Sequence, residues 1–104
     1  MADDLGVLIV DDDFRVAALH ATIVDAVRGF RVVAQAGTIA AARAAVANHP
    51  DVDLALLDVY LPDGSGIDLV SEMPCDAFIV GAETDAGAVR RAMRAGALAY
   101  LIKP

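Results

Sequence analysis

The stretch from Leu54 to Gly66, LALLDVYLPDGSG, constrains the fold more than any other part of the chain. An apolar run of strand length ends on one carboxylate, Asp58, and a turn signal follows almost at once. Such a run is typical of a strand that helices cover on both faces of a parallel sheet. Ligands collect beyond the carboxyl ends of strands in such sheets, so Asp58 is a candidate reactive residue.

Strand and helix patterns alternate along the chain. The predicted strands are 7–10, 31–36, 53–58, 77–80 and 98–102, and the predicted helices are 14–27, 39–48, 67–72 and 86–95. The first helix is amphipathic, with Val16, Leu19, Ile23 and Val27 at helical spacing. Asp13 and Thr38 are placed to cap the first two helices, and Gly29 to end the first. Short connections favour right-handed parallel crossovers and a three-layer α/β sandwich.

A fifth helix is expected after Lys103 and Pro104, where the alternation stops. Five strands need helices on both faces of their sheet, and four helices would leave an apolar patch that soluble monomers avoid. We therefore expect one domain over 1–104 that is truncated after its fifth strand. The other interpretation is a partner over the uncovered face, which makes a homodimer a candidate assembly.

The composition excludes several classes of function. A formal net charge of -7 argues against this segment binding a nucleic-acid backbone, which needs clustered Lys and Arg. No apolar run approaches the roughly 20 residues of a membrane span, and the N-terminus lacks the pattern of a secretory signal. The single cysteine, Cys75, fits a reducing compartment. We expect a cytoplasmic protein with no membrane partner.

Acidic residues follow two of the predicted strands. Asp11 and Asp12 come directly after the first strand, and Asp58 closes the third; these two strand ends are neighbours in this architecture. Three carboxylates so close together favour a hard cation, and Mg²⁺ prefers such oxygen ligands. Lys103, at the end of the fifth strand, would bring a positive charge to the same edge. The combination predicts a site where an Asp58 oxygen accepts a phosphoryl group.

Three separated motifs resemble the receiver domain of bacterial two-component response regulators: the Asp11-Asp12 pair, the DVYLPDGSG block and the AYLIKP ending. The stretches VDDDFRVAALH, GFRVVAQA and DVYLPDGSG most resemble regulators paired with citrate and C4-dicarboxylate sensor kinases. The resemblance implies a flavodoxin-like, doubly wound parallel sheet of strand order 2-1-3-4-5, here without its fifth helix. It also implies a sensor histidine kinase as partner, and DNA as the partner of a separate C-terminal output domain that controls transcription.

The resemblance assigns a role to each residue of the site. Asp58 matches the phosphoacceptor, Asp11 and Asp12 match the acidic pair that positions Mg²⁺, and Tyr60 matches the position whose backbone carbonyl completes the metal shell. Lys103 matches the lysine that contacts the phosphoryl group. Its bond to Pro104 is expected to be cis, an isomer essentially confined to proline.

The switch of the family is altered in this sequence. Tyr100 matches the aromatic residue that turns inward on activation, when phosphorylation shifts the population between two arrangements of the fourth helix and fifth strand. The position of the partner Thr or Ser falls on Gly81, followed by Ala82, and glycine has no hydroxyl for the phosphoryl oxygen. Thr84 could substitute only if the loop is rearranged. The segment from Asp58 to Gly81 is also short, so the third helix or the next loop must be clipped.

The leading interpretation is a phosphorylated signalling domain rather than an enzyme, and two alternatives stay open. One is a receiver-like interaction module that works without phosphorylation, which Gly81 and the short third helix favour. The other is a haloacid dehalogenase-like phosphohydrolase, with Asp11 as nucleophile and Asp13 as acid, since LIVDDD fits a strand followed by DxD. Against it, Arg15 occupies a position where that motif wants Thr or Val, and the chain is short for a substrate cap.

Overall fold

The computed structural model describes residues 4–81 and 86–103. In chain order the elements are β1 (Leu5–Val10), α1 (Phe14–Ala26), β2 (Phe30–Ala36), α2 (Ile39–Asn48), β3 (Val52–Asp58), β4 (Tyr60–Leu61), β5 (Gly64–Ser65), α3 (Gly66–Val70), β6 (Asp76–Gly81), α4 (Ala86–Ala95) and β7 (Ala99–Ile102). The predicted alternation of strands and helices is therefore confirmed. Among the described residues, no helix has the length and apolar character to cross a membrane.

Five parallel strands form the main sheet, in the order β2-β1-β3-β6-β7. Because β6 and β7 are its fourth and fifth strands in chain order, this is the predicted order 2-1-3-4-5, and the doubly wound α/β fold is confirmed. Strands β4 and β5 form a separate antiparallel hairpin, where only a loop was predicted. The hairpin follows β3 directly, so it stands at the carboxyl edge of the sheet.

Each strand contributes side chains to both faces of the sheet, because successive strand residues point to opposite sides. In β1, Leu8 and Val10 belong to the larger core cluster, which α2, α3 and α4 cover. Val7 and Ile9 point the other way, where they pack with Ala17 of α1. This explains why β1 reads as an uninterrupted apolar run rather than an alternating one.

Helix α1 covers its face of the sheet only in part. Ala17 is buried, but Leu19, Ile23 and Val27 of the predicted apolar stripe remain 52%, 53% and 48% exposed. Between α1 and β7 lies an apolar channel, here called the α1 groove, whose lining is Val7, Ile23, Val24, Val27, Phe30, Leu54, Leu56, Phe78 and Leu101. The described residues thus leave open the part of the sheet for which the sequence predicted a missing cover.

The helix ends follow the predicted capping in two of three cases. The Asp13 side chain accepts the Arg15 N–H at 2.9 Å, and the Thr38 hydroxyl accepts the Ala41 N–H at 3.0 Å. Gly29 is not the helix end, since α1 stops at Ala26 and the glycine, at φ +94°, shapes the turn before β2. Helix α3 is shorter than predicted and stops at Val70.

Leu57→Ala is expected to lower the free energy of unfolding by about 2–5 kcal/mol, because the Leu57 side chain is fully buried and its loss leaves a cavity. Leu19→Ala, on the exposed flank of α1, is the matched control and should cost less than about 1 kcal/mol. Urea unfolding of both variants measures the difference. Equal losses would contradict the assignment of β3 to the centre of the core.

Candidate functional site

The register of the sheet brings three carboxylates to one edge. Val10, the last residue of β1, pairs with Leu57, so Asp11 lies beside Asp58. Asp11 and Asp58 are 5% and 8% exposed, whereas Asp12 faces solvent. One carboxylate oxygen from each of the three lies within 4.8 Å of the others. The predicted convergence of the acidic residues is therefore observed, in a geometry that could hold a cation.

Lys103 joins this cluster from the end of β7. Its ammonium donates a hydrogen bond to Asp11 Oδ2 at 2.9 Å and lies 3.2 Å from Asp58 Oδ1. The backbone N–H of Lys103 donates to the Gly81 carbonyl at 2.7 Å, which holds the residue where the sheet ends. One positive charge thus bridges the two buried carboxylates.

The charges of the cluster shift one another's ionisation. Burial raises the pKa of Asp58, and the neighbouring Asp11 carboxylate raises it further, against the opposing effect of Lys103. For Lys103, burial disfavours the ammonium, but the hydrogen bond to Asp11 and the charge of Asp58 outweigh it, so the pKa of Lys103 is raised. The site therefore holds a charged lysine beside the Asp58 carboxyl group, and added positive charge would stabilise the ionised form of that group. A hard divalent cation would supply that charge.

Backbone contacts hold Asp11 in place, and Asp13 contributes one of them. The Asp11 N–H donates to the Ala36 carbonyl at 2.9 Å, and Asp11 Oδ1 accepts the Asp13 N–H at 2.9 Å. The Asp13 carboxylate itself accepts from Arg15 as the N-cap of α1. Asp13 is thus engaged as a helix cap, which removes support for its role as the acid of a phosphohydrolase.

Two residues that the sequence analysis did not single out support the site. Gly66 packs so closely on the backbone carbonyl of Asp58 that a Cβ there would overlap it. Asp63 accepts the N–H groups of Ile39 and Ala40 at 2.8 and 3.1 Å, which ties the loop after β3 to the start of α2. The second glycine of the PDGSG turn was a signal for the first contact. No local signal indicated the contact of Asp63 with α2, because Ile39 and Ala40 are 24 and 23 residues away from Asp63 in the chain.

The remaining predicted residues lie around the rim of the cluster. Tyr60 stands in the hairpin two residues after Asp58, and its side chain is 73% exposed. Gly81 ends β6, and the half-buried Tyr100 packs against the larger core cluster. Ala82, Thr84 and the predicted cis bond from Lys103 to Pro104 lie outside the described residues.

The sequence model of the response regulator receiver domain family matches residues 7–104 of this chain. The chain is 35% identical over 103 residues to the transcriptional regulatory protein CitT of Bacillus subtilis, a match that covers 94% of this chain and 45% of that protein. It is 38% identical over 109 residues to the transcriptional regulatory protein DpiA of Escherichia coli, covering 100% and 48%. The chain therefore spans about half the length of these relatives.

Solved structures share the fold. A chain of the CheX–CheY–BeF3–Mg²⁺ complex from Borrelia burgdorferi superposes with a TM-score of 0.81 at 27% identity, over 96% of this chain and 78% of that one. A response regulator from Burkholderia pseudomallei with a phosphorylated aspartic acid, calcium ion and citrate superposes with a TM-score of 0.84 at 24% identity, over 97% and 61%. At 24% identity, the similarity to the Burkholderia pseudomallei protein shows a shared fold and no more.

Asp58→Asn is expected to stabilise the metal-free protein at pH 7, because burial and the Asp11 charge disfavour the ionised Asp58 carboxyl. Since the folded-state pKa of Asp58 is raised, the wild type loses stability as the pH rises from the ordinary value of 3.8 through the folded-state pKa. The gain from Asn should therefore shrink towards zero as the pH falls below 3.8.

Thermal unfolding of both proteins in chelator, across a series of pH values, measures this gain. Asp68→Asn, which changes an exposed carboxylate of α3, is the matched control and should not reproduce the pH-dependent difference. A gain from Asp58→Asn that is independent of pH would contradict the assigned cause.

Proposed function

The chain belongs to the response regulator receiver domain family, and we propose that it takes a phosphoryl group onto Asp58 from a sensor histidine kinase. The family, its role as a phosphorylated signalling module and the finer resemblance to the citrate and C4-dicarboxylate regulators were all predicted from the sequence, and all three are confirmed. The observation that carries the assignment to Asp58 is the Lys103 bridge between two buried carboxylates, Asp11 and Asp58.

The arrangement supports a direct transfer. An ionised Asp58 oxygen attacks phosphorus while the bond from phosphorus to the histidine nitrogen of the donor breaks, and the leaving imidazole takes up a proton. In the free protein the Lys103 ammonium is shared between Asp11 and Asp58. During transfer it neutralises charge on the phosphoryl oxygens, a role in which positioning and electrostatics account for most of the rate.

Mg²⁺ is the cation that we propose for the acidic cluster. Asp11, Asp12 and Asp58 would supply carboxylate oxygens, and the Tyr60 backbone a carbonyl oxygen, which are ligands that Mg²⁺ prefers. When bound, the ion would offset the charge of the phosphoryl group. The superposition on a chain from a complex that contains BeF3 and Mg²⁺ supports this choice.

Incubation with acetyl phosphate and Mg²⁺ should add the mass of one phosphoryl group to the wild type, as measured by intact mass spectrometry. Asp58→Asn should abolish the gain because the nucleophile is gone, and chelator should abolish it because the charge on phosphate is no longer offset. Asp68→Asn, an exposed carboxylate outside the cluster, should still gain the group. A gain that survives Asp58→Asn would overturn the assignment.

The output of the protein is proposed from the relatives, which are transcriptional regulatory proteins about twice as long as the matched region. We propose that this chain controls transcription through a DNA-binding part outside 1–104, in the cytoplasm. The receiver itself carries 8 basic against 15 acidic residues, which disfavours a direct contact with DNA.

We also propose that a fifth helix, from residues following 104 in a longer protein, closes the α1 groove. Residues 1–104 would then be a receiver domain without its last helix. The groove supports this, because its nine lining residues are all apolar and span the sheet from β1 to β7.

Ile23→Asn should therefore destabilise a longer chain that includes the fifth helix more than it destabilises the 104-residue chain, since only the longer chain buries Ile23. Urea unfolding of the two pairs measures the difference, and Leu19→Asn, which lies outside the groove lining, is the control. Equal losses of unfolding free energy in the two chain lengths would contradict the proposal.

Sedimentation of the 104-residue chain tests the homodimer. A dimer that Ile23→Asn dissociates would put a second copy in the groove.

A further inference from the structure

The space above Gly81 is filled by another side chain. Gly81 ends β6 one residue after Val80, which pairs with Asp58, so it lies at the same sheet edge as the acidic cluster. A Cβ built on Gly81 would overlap the Tyr100 hydroxyl, with ring carbon Cζ at 2.9 Å and Val59 Cγ2 at 3.3 Å. Any side chain at this position would therefore have to displace the Tyr100 ring.

The register explains how Tyr100 reaches this space. Tyr100 of β7 pairs with Ile79, and Ile79 and Gly81 point to the same face because they are two residues apart. Two residues of strand span about 6.6 Å, which a tyrosine side chain lying along the sheet can cover. The ring packs against the cluster that contains Ala88 and Ala92 of α4. The Tyr100 ring thus lies inward, over Gly81, and its packing between the sheet and α4 stabilises this position.

We infer that Gly81 keeps the Tyr100 ring inward whether or not Asp58 carries a phosphoryl group. This inference rests on the proposed phosphorylation of Asp58. A Thr or Ser at position 81 would compete with Tyr100 for one volume, and a phosphoryl group that bonded its hydroxyl would favour the inward ring. With glycine the competitor and the hydroxyl are both absent. The inward ring then needs no phosphate.

The energetic reason is that a ligand shifts an equilibrium only by the difference in its affinity for the two states. Without a hydroxyl at position 81, the phosphoryl group makes no contact there that depends on the ring. The Tyr100 ring therefore keeps one position. A partner that reads phosphorylation must do so at the loops around Asp58, rather than through Tyr100.

Fluorine NMR of protein labelled with 3-fluorotyrosine tests the ring directly, because the chain has only two tyrosines. Tyr60→Phe assigns the two resonances. In the wild type we expect a soluble gadolinium relaxation agent to broaden the Tyr100 resonance less than that of Tyr60, which is 73% exposed, and we expect acetyl phosphate and Mg²⁺ to leave this protection unchanged. Intact mass of the same sample establishes whether Asp58 was phosphorylated.

Two substitutions of Gly81 should expel the ring from its inward position. In Gly81→Thr and in Gly81→Ala, we expect the unphosphorylated protein to show a shifted Tyr100 resonance that the gadolinium agent broadens. Gly37→Ala is the matched control, because a Cβ there has its nearest neighbour, the Asp11 carbonyl oxygen, at an ordinary 3.8 Å. It should leave the Tyr100 resonance in place.

A double-mutant cycle keeps the test decisive if a Gly81 variant is too unstable for NMR. Gly81→Ala should lower the melting temperature when Tyr100 is present and have little effect in a Tyr100→Ala background, because the overlapping side chain is then gone. Additive shifts in melting temperature would overturn the inference.

The outcomes also separate this inference from the function on which it rests. A wild-type Tyr100 resonance that the gadolinium agent broadens only once the mass gain appears would overturn the inference and leave the phosphorylation of Asp58 intact. A sample that gains no phosphoryl mass would reject the proposed function. In that case a Tyr100 ring that is exposed in the unphosphorylated wild type would still overturn the inference, and a protected ring that the Gly81 variants expose would support its statement about the unphosphorylated protein.

Discussion

The structure depends on the charge balance at the carboxyl edge of the sheet. Asp11 and Asp58 are both almost fully buried, and two such carboxylates could not remain ionised side by side without a cation. The Lys103 ammonium reaches both, at 2.9 and 3.2 Å, from the end of the last strand. This contact joins the ends of β1, β3 and β7 at one point. The Asp58 carboxyl group can be buried because a strand at the sheet edge supplies its counterion.

Glycine and helix caps define the backbone around this charge cluster. Gly66 lets the chain turn back directly over the Asp58 carbonyl, and Gly81 leaves room for the Tyr100 hydroxyl at the neighbouring strand end. Asp63 fastens the intervening hairpin to α2 through two backbone N–H groups. The loops at this edge are therefore held by these close contacts and by Val59, Leu61 and Ile67, which are buried in the larger core cluster. Substitutions of Gly66, Gly81 or Asp63 would therefore shift the loops that surround the acidic cluster.

The two faces of the sheet differ in how completely they are covered. Helices α2, α3 and α4 pack over one face with a continuous buried cluster. On the other face, α1 contributes the buried Ala17 and leaves the α1 groove beside it. None of the acidic residues lines the groove, so the chemistry of the acidic cluster does not require the groove to be covered. Phosphorylation can be tested on the chain of 104 residues even though one face is open.

The sequence by itself determined the order of elements, the parallel sheet and the convergence of Asp11, Asp12 and Asp58, because strand periodicity and crossover handedness leave few alternatives. It also placed the caps at Asp13 and Thr38, which depend on local hydrogen bonds. Only the tertiary structure decided which apolar residues of α1 are buried, that Asp63 holds α2, and that Tyr100 lies over Gly81. These features depend on packing between segments far apart in the chain, and no local pattern encodes such distances.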